Sequence, residues 1–316
     1  MSVGSNIKKR RYELKMSQQE LADAMGYKTR STIAKIESGE NDVSQKKLQR
    51  FAAVLYTTAE ALISGSSLFE EKPLSMSPAG STEEHRNAVI VLAGGKSGRN
   101  KQNIPNQFIS IHDKPMIVYC LEAYQMHPSI DDIYIVCLKG WEDIVRAYAR
   151  QYRITKLRGL IPGSISGIAS LQNGIACIRK RYAPDDTIII QEATRPLVDS
   201  ETISKLLQAC SEKGSATVCH TMNDYVQFDL SSDRPQYLDR NAIVALQSPE
   251  AHRLSLILDV FDKARQQGHA LTESCCAMLM YHLGYDINFI EGGFNNIKIV
   301  REEDLTVFSA LAKKRS

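Results

Sequence analysis

The stretch Val91-Leu-Ala-Gly-Gly-Lys-Ser-Gly-Arg-Asn-Lys-Gln-Asn-Ile-Pro-Asn-Gln-Phe108 continues an apolar run, Ala88 to Leu92, into a turn with glycines at 94, 95 and 98 and with Arg99 aimed into it. A strand that ends in such a turn leaves backbone N–H groups free to cradle phosphate oxygens, so the stretch predicts a nucleotide site at the carboxyl end of a strand. It is not a Walker loop, because that motif needs a glycine five positions before its Gly-Lys-Ser and Ile90 stands there. Nor does the glycine spacing match the Gly-x-Gly-x-x-Gly fingerprint of dinucleotide folds.

Downstream, short β-rich runs (Ala88 to Leu92, Ile133 to Leu138, Thr187 to Ile190, Ser215 to Cys219) alternate with helical stretches (Met116 to Gln125, Glu142 to Gln151, Ser166 to Arg181, Thr202 to Lys213). The alternation predicts parallel strands with crossover helices, a three-layer, Rossmann-like α/β domain with a mostly parallel sheet and ligands at the carboxyl ends of its strands. Upstream, residues 65–86 are rich in Ser, Pro, Gly and Glu without a sustained apolar period, which predicts a flexible linker. The α/β domain is therefore expected over 87–316 and a separate domain over 1–64.

That first domain reads as all-α. An amphipathic stretch runs from Ile7 to Lys15, and Ser17 with Glu20 makes a capping box that opens a helix Gln18 to Met25, closed by Gly26. Further helices are expected at Arg30 to Glu37, at Gln45 to Leu55 behind Ser44, and at Ala59 to Ile63. Two short helices joined by a tight turn, with basic and hydroxyl residues opening the second, fit a helix-turn-helix. The strings Met16-Ser-Gln-Gln-Glu-Leu-Ala-Asp-Ala-Met-Gly26 and Ser31-Thr-Ile-Ala-Lys-Ile-Glu-Ser-Gly39 resemble the lambda-repressor and Cro class of regulators. The resemblance implies that Gln18 touches the DNA backbone while Lys28, Arg30, Ser31, Thr32 and Lys35 face the major groove. A small helical interaction module is the plainer alternative.

The chain has 316 residues, 43% hydrophobic and 24% charged, the balance of a soluble globular protein. Its net charge of +3 is uneven, with 11 Lys/Arg against 7 Asp/Glu over residues 1–65 and 28 against 29 beyond. All seven cysteines lie in the larger domain without Cys-x-x-Cys spacing, which suggests reduced core thiols and a cytoplasmic location. No apolar run approaches the roughly 18 residues of a membrane span.

Residues 87–316 resemble the cytidylyltransferases that join CTP to a sugar-alcohol phosphate, the methylerythritol-phosphate enzymes and their ribitol-phosphate relatives. The matching segments are Ala93-Gly-Gly-x-x-x-Arg99, Pro105-x-Gln-Phe108, Lys114-Pro115, Ser170-x-x-Asn-Gly174, Ala193-x-Arg-Pro196, Asp239-Arg240, Gln247-Ser-Pro249, Asn296-Ile-Lys-Ile299 and Glu303-Asp-Leu305. The resemblance implies a nucleotidyltransferase fold and attack of a substrate phosphate on the α-phosphorus of CTP with Mg²⁺ as counter-ion. It implies Arg99, Lys298 and Arg240 as catalytic cations, and Ala93, Gly94, Gly95, Ser170 and Glu192 at the nucleotide. It places Asp224 and Arg240 at the alcohol phosphate, with Arg240 supplied across a homodimer, and makes Glu192 the oxygen ligand for Mg²⁺.

The pattern also departs from the family. Asn106 replaces a lysine, Gly167 stands where an arginine is usual, Glu192 replaces an aspartate, and Asp224-Tyr-Val-Gln227 and Thr272-Glu-Ser274 replace Asp-Thr-Ile-Lys and Thr-Asp-Asp. Each lost transition-state donor typically costs about 2.7 to 4 kcal/mol, roughly 10² to 10³ in rate. Lys96 and Lys101 offer themselves as substitutes, and Tyr225 and Gln227 argue against methylerythritol phosphate as the second substrate. Three readings fit: a working cytidylyltransferase fused to a DNA-binding module, a transcriptional regulator whose enzyme-like domain senses a nucleotide or CDP-alcohol without turnover, or a regulator dimerised by a retired scaffold.

Overall fold

A computed structural model of the chain describes residues 3–13, 16–27, 29–41, 43, 45–55, 62–63, 85–95, 104–164, 166–222, 226–231, 233–269 and 273–313. The chain divides into two compact units, residues 1–82 and 83–316.

The first unit includes the helices α1 (Val3–Glu13), α2 (Gln18–Met25), α3 (Arg30–Ser38) and α4 (Gln45–Val54). They close around Ile7, Leu21, Ala22, Ile33, Phe51 and Leu55, all fully buried. The capping box forms as read: Ser17 Oγ accepts from the Glu20 amide and the Glu20 carboxylate accepts from the Ser17 amide, while Gly26 ends α2 in the left-handed conformation. Helix α1 begins at Val3 rather than Ile7. Gly4 looks like a helix breaker in sequence, but it marks the crossing of α1 over α3, where an added Cβ would lie 2.0 Å from the Ile36 carbonyl oxygen. The expected cap Ser44 lies outside the described residues, as does most of the expected Ala59–Ile63 helix, of which Leu62 and Ile63 are described and helical.

The second unit contains strands β1 (Asn87–Ala93), β2 (Ser110–Ile111), β3 (Lys114–Pro115), β4 (Asp132–Cys137), β5 (Leu157–Pro162), β6 (Thr187–Glu192), β7 (Ser215–Thr221), β8 (Gln227–Asp229), β9 (Gln236–Leu238), β10 (Val244–Arg253) and β11 (Phe289–Glu291). Its helices are α5 (Met116–Met126), α6 (Glu142–Gln151), α7 (Gly167–Ile178), α8 (Ser200–Lys213), α9 (Leu254–Gln266), α10 (Cys276–His282) and α11 (Glu302–Ala312). Seven strands form one sheet in the order β11-β7-β10-β6-β1-β4-β5. All neighbouring pairs are parallel except those of β10, which runs antiparallel between β6 and β7.

Helices α5, α6 and α8 cover one face through Leu121, Tyr124, Val145 and Leu206, and α7, α9 and α10 cover the other through Leu171, Ile175, Ile257 and Leu279. Coverage on both faces is why every residue of β4 is buried and why the central strands read as unbroken apolar runs. Register then sets the site, since Leu92 stands opposite both Val136 and Glu192, so the ends of β1, β4 and β6 lie level. Strands β8 and β9 form a separate hairpin arm whose apolar side chains Phe228, Leu230 and Tyr237 are exposed. Among the described residues no helix is long and apolar enough to cross a membrane.

Candidate active site

The backbone after β1 turns at Gly94 into close contact with the loop that follows β5. A Cβ on Gly94 would lie 3.4 Å from Gly163 Cα and 3.8 Å from Ser170 Oγ, and one on Gly163 would lie 3.3 Å from both Gly94 Cα and the Cys137 carbonyl oxygen. The approach of these two loops is what the glycines permit, and it brings the start of α7 to the same place. Ser166 caps α7 by accepting from the Ala169 amide at 3.1 Å, and the buried Ser170 hydroxyl accepts from the Ser164 amide at 2.9 Å. Ser170 thus holds Ser164 beside the glycine turn.

Gln107 fixes the turn from the other side. Its buried Nε2 donates to the carbonyls of Ala93 at 2.9 Å and Gly95 at 3.0 Å. The next residue, Phe108, stacks on Trp141 with ring centroids 4.2 Å apart and planes 2° from parallel, anchoring the loop's return. Arg99, Lys96 and Lys101 fall outside the described residues.

Glu192 ends β6 beside this turn. Its carboxylate accepts from Lys298 Nζ at 2.5 Å and from Arg195 Nε at 3.1 Å, so two cations converge on one anion at the mouth of the crevice. Arg195 also donates Nη1 to the Asn296 carbonyl at 2.7 Å. The buried Asn296 reaches β10 through Ser248 O at 2.7 Å and Gln247 Oε1 at 3.2 Å, while the Ile299 amide donates to Thr194 O. Asn106 joins the same scaffold: it is buried, and its Nδ2 donates to the carbonyls of Ile299 at 3.3 Å and Val300 at 3.1 Å. The residue that replaces the family lysine therefore tethers the segment presenting Lys298.

Two further altered positions lie against each other, since a Cβ on Gly167 would stand 3.9 Å from the Ser274 carbonyl oxygen. The adjoining Cys275 thiol is pushed up to about 11 by burial, with the charges of Glu250 and Glu192 adding to the effect. It is a poor nucleophile at neutral pH.

Of the residues singled out from sequence, Ala93, Gly94, Gly95, Ser170, Glu192 and Lys298 line this crevice. Arg240 lies on an exposed turn after the β8–β9 arm. Asp224 lies outside the described residues. The structure adds Gln107, Arg195 and Asn296, whose signal in sequence was only their place in the motif strings.

In the first unit, Arg30, Ser31 and Lys35 are exposed along α3 and Thr32 is half-buried, opposite the buried Ile33, Ile36 and Glu37. Gln18 turns its Nε2 to Glu37 at 2.9 Å, joining the buried Arg11–Glu37 ion pair. Lys28 is outside the described residues.

Residues 87–314 match the family model described as 2-C-methyl-D-erythritol 4-phosphate cytidylyltransferase, and residues 7–61 match a helix-turn-helix model. The chain is 31% identical to a ribitol-5-phosphate cytidylyltransferase of Lacticaseibacillus paracasei, covering 72% of this chain and 98% of that one. It is also 31% identical to the Vibrio parahaemolyticus protein of the same name, over 71% of this chain and 95% of that one. The crystal structure of 4-diphosphocytidyl-2C-methyl-D-erythritol synthase from Anaerococcus prevotii shares the fold, with a TM-score of 0.62 at 20% identity over 72% of this chain and 96% of that one.

Proposed function

Since the chain belongs to the 2-C-methyl-D-erythritol 4-phosphate cytidylyltransferase family through residues 87–314 and carries a helix-turn-helix over residues 7–61, we propose that it transfers a cytidylyl group from CTP to a polyol phosphate and binds DNA. The observation that carries the reading is the convergence of Lys298 and Arg195 on Glu192, level with the glycine turn after β1. In the reaction a phosphate oxygen of the alcohol phosphate bonds to the α-phosphorus of CTP, the bond to the bridging oxygen breaks, and pyrophosphate leaves. Negative charge grows on the phosphoryl oxygens, so the chain's task is to hold cations and N–H donors in place.

Lys298 serves the α-phosphoryl group, the glycine turn and Arg99 serve the triphosphate, and Asp224 with the partner subunit's Arg240 receives the alcohol phosphate. The carboxylate of Glu192, a hard oxygen donor at the crevice mouth, suits Mg²⁺, which takes one or two carboxylates together with substrate phosphates and would neutralise triphosphate charge there. Dimerisation is supported by the exposed apolar arm. DNA contact and transcriptional regulation rest on the exposed Arg30, Ser31 and Lys35 of α3.

The relatives at 31% identity carry the ribitol-5-phosphate name, which makes ribitol 5-phosphate the first substrate to test. Full-length protein with CTP and Mg²⁺ is expected to release pyrophosphate with ribitol 5-phosphate and more slowly with methylerythritol phosphate. CTP binding without release from any polyol phosphate would instead support the sensor reading, which the uncharged contact between Gly167 and Ser274 favours.

A further inference from the structure

The face of the sheet covered by α7, α9 and α10 is aliphatic at its centre, with Ala88, Ile90, Ile188 and Ile190 in contact. Polar side chains are also buried on this face, Glu250 and His252 among them. Glu250 and His252 are two residues apart on β10, so both project to one face, and both are buried. Cys276, also buried, opens α10 directly against them, and the ligating atoms of the three residues all lie within 4.8 Å of one another.

His252 is 1% exposed, and among the described residues neither of its ring nitrogens has a hydrogen-bond partner. Its Nε2 stands 3.6 Å from the Glu250 carboxylate, beyond hydrogen-bond reach. A buried polar group without a partner is costly, and here the orphaned nitrogens stand beside a carboxylate and a thiol.

We infer that Glu250, His252 and Cys276 form a binding site for a divalent transition metal of the zinc class. With ligand distances near 2.0 to 2.3 Å, neighbouring donors of a tetrahedral centre lie about 3.3 to 3.8 Å apart, which the 3.6 Å His252–Glu250 separation already matches. The thiol closes in by at most about 1 Å, within the reach of a rotamer adjustment. Carboxylate and thiolate together balance the charge of the ion, and the mixture of O, N and S donors favours zinc over magnesium. Glu250 is already oriented, because its oxygens accept from the amides of Cys276 at 3.3 Å and Ala277 at 2.7 Å, the outer-shell support that metal-binding carboxylates usually have. The site ties the antiparallel strand to α10, whose leading residues Ser274 and Cys275 border the candidate active site. It does not rest on the proposed reaction.

The test uses full-length protein purified without a polyhistidine tag, stripped with chelator and titrated with Co²⁺ alone and then Zn²⁺. One equivalent of Co²⁺ per chain is expected to give a thiolate-to-cobalt charge-transfer band that Zn²⁺ abolishes, and Zn²⁺ should raise the thermal midpoint. Cys276→Ser should lose the band, and His252→Gln should weaken binding by about tenfold or more. A stripped wild-type protein that shows neither band nor zinc-dependent midpoint shift would overturn the proposal whether or not the variants fold. So would a band that persists in Cys276→Ser. Pyrophosphate release is not read in any arm, so the outcome stands apart from that of the enzyme assay.

Discussion

Lys298 and Arg195 both reach Glu192, but they differ in what else they hold. The Lys298 side chain is 44% exposed and ends at the carboxylate, whereas Arg195 is 12% exposed and also supports the Asn296 carbonyl. Lys298→Ala is therefore expected to lower kcat by about 10² to 10³ while leaving the thermal midpoint nearly unchanged. Arg195→Ala should lower both, with a stability loss of about 1 to 3 kcal/mol from the carbonyl left without its donor. Pyrophosphate release and thermal denaturation on the same samples separate the two roles. At this scale Glu192 and Lys298 were legible because each sits in a motif string with a charged side chain whose chemistry is plain. Asn106 was legible only as a missing charge. Its actual work, bonding two carbonyls of an irregular segment 193 and 194 residues away, depends on a contact that no local pattern encodes.

Strands β1, β4 and β6 were readable because burial on both faces writes itself as a continuous apolar run. Strand β10 was not, because Ser248-Pro249 interrupts it and its pairing with β7 shifts between Leu246 and Glu250, the kind of irregularity at which a sheet tolerates proline. The three-residue strands β8, β9 and β11 are too short to carry a period. Helix α2 of the first unit was legible from its caps, yet the ion pair that fixes α1 to α3 was not, since no local pattern pairs Arg11 with Glu37, 26 residues on. In the structure their side chains are 4% and 2% exposed, with Nε–Oε1 at 2.7 Å and Nη2–Oε2 at 3.0 Å. Removing one partner of such a pair typically costs about 3 to 5 kcal/mol, a large part of the stability of a unit this small. Glu37→Ala is expected to abolish a lower calorimetric transition and DNA binding together. The second unit has its own core, so pyrophosphate release should persist. Loss of both activities would mean that the units do not fold independently.

The excess of positive charge lies in the first unit, and the exposed apolar side chains of the β8–β9 arm lie in the second, so the proposed function would draw DNA attraction and self-association from different parts of the chain. A helix-turn-helix of this class reads paired half-sites, and pairing two weak binders raises overall affinity by roughly 10² or more without a new contact. If the arm joins the subunits, charging it should reduce DNA affinity at a distance. The double substitution Phe228→Asp with Leu230→Asp changes two side chains that are exposed in the single chain, so the subunit fold should survive. Light scattering is expected to report a monomer, and titration with a palindromic operator fragment should show an affinity loss of the stated order. Arg240 follows the arm, so pyrophosphate release should fall in the same variant, whereas Arg240→Ala should fall in activity and remain a dimer with full DNA affinity. A dimer that persists after Phe228 and Leu230 are charged would move the interface elsewhere and remove the reason to place the partner's Arg240 at the alcohol phosphate.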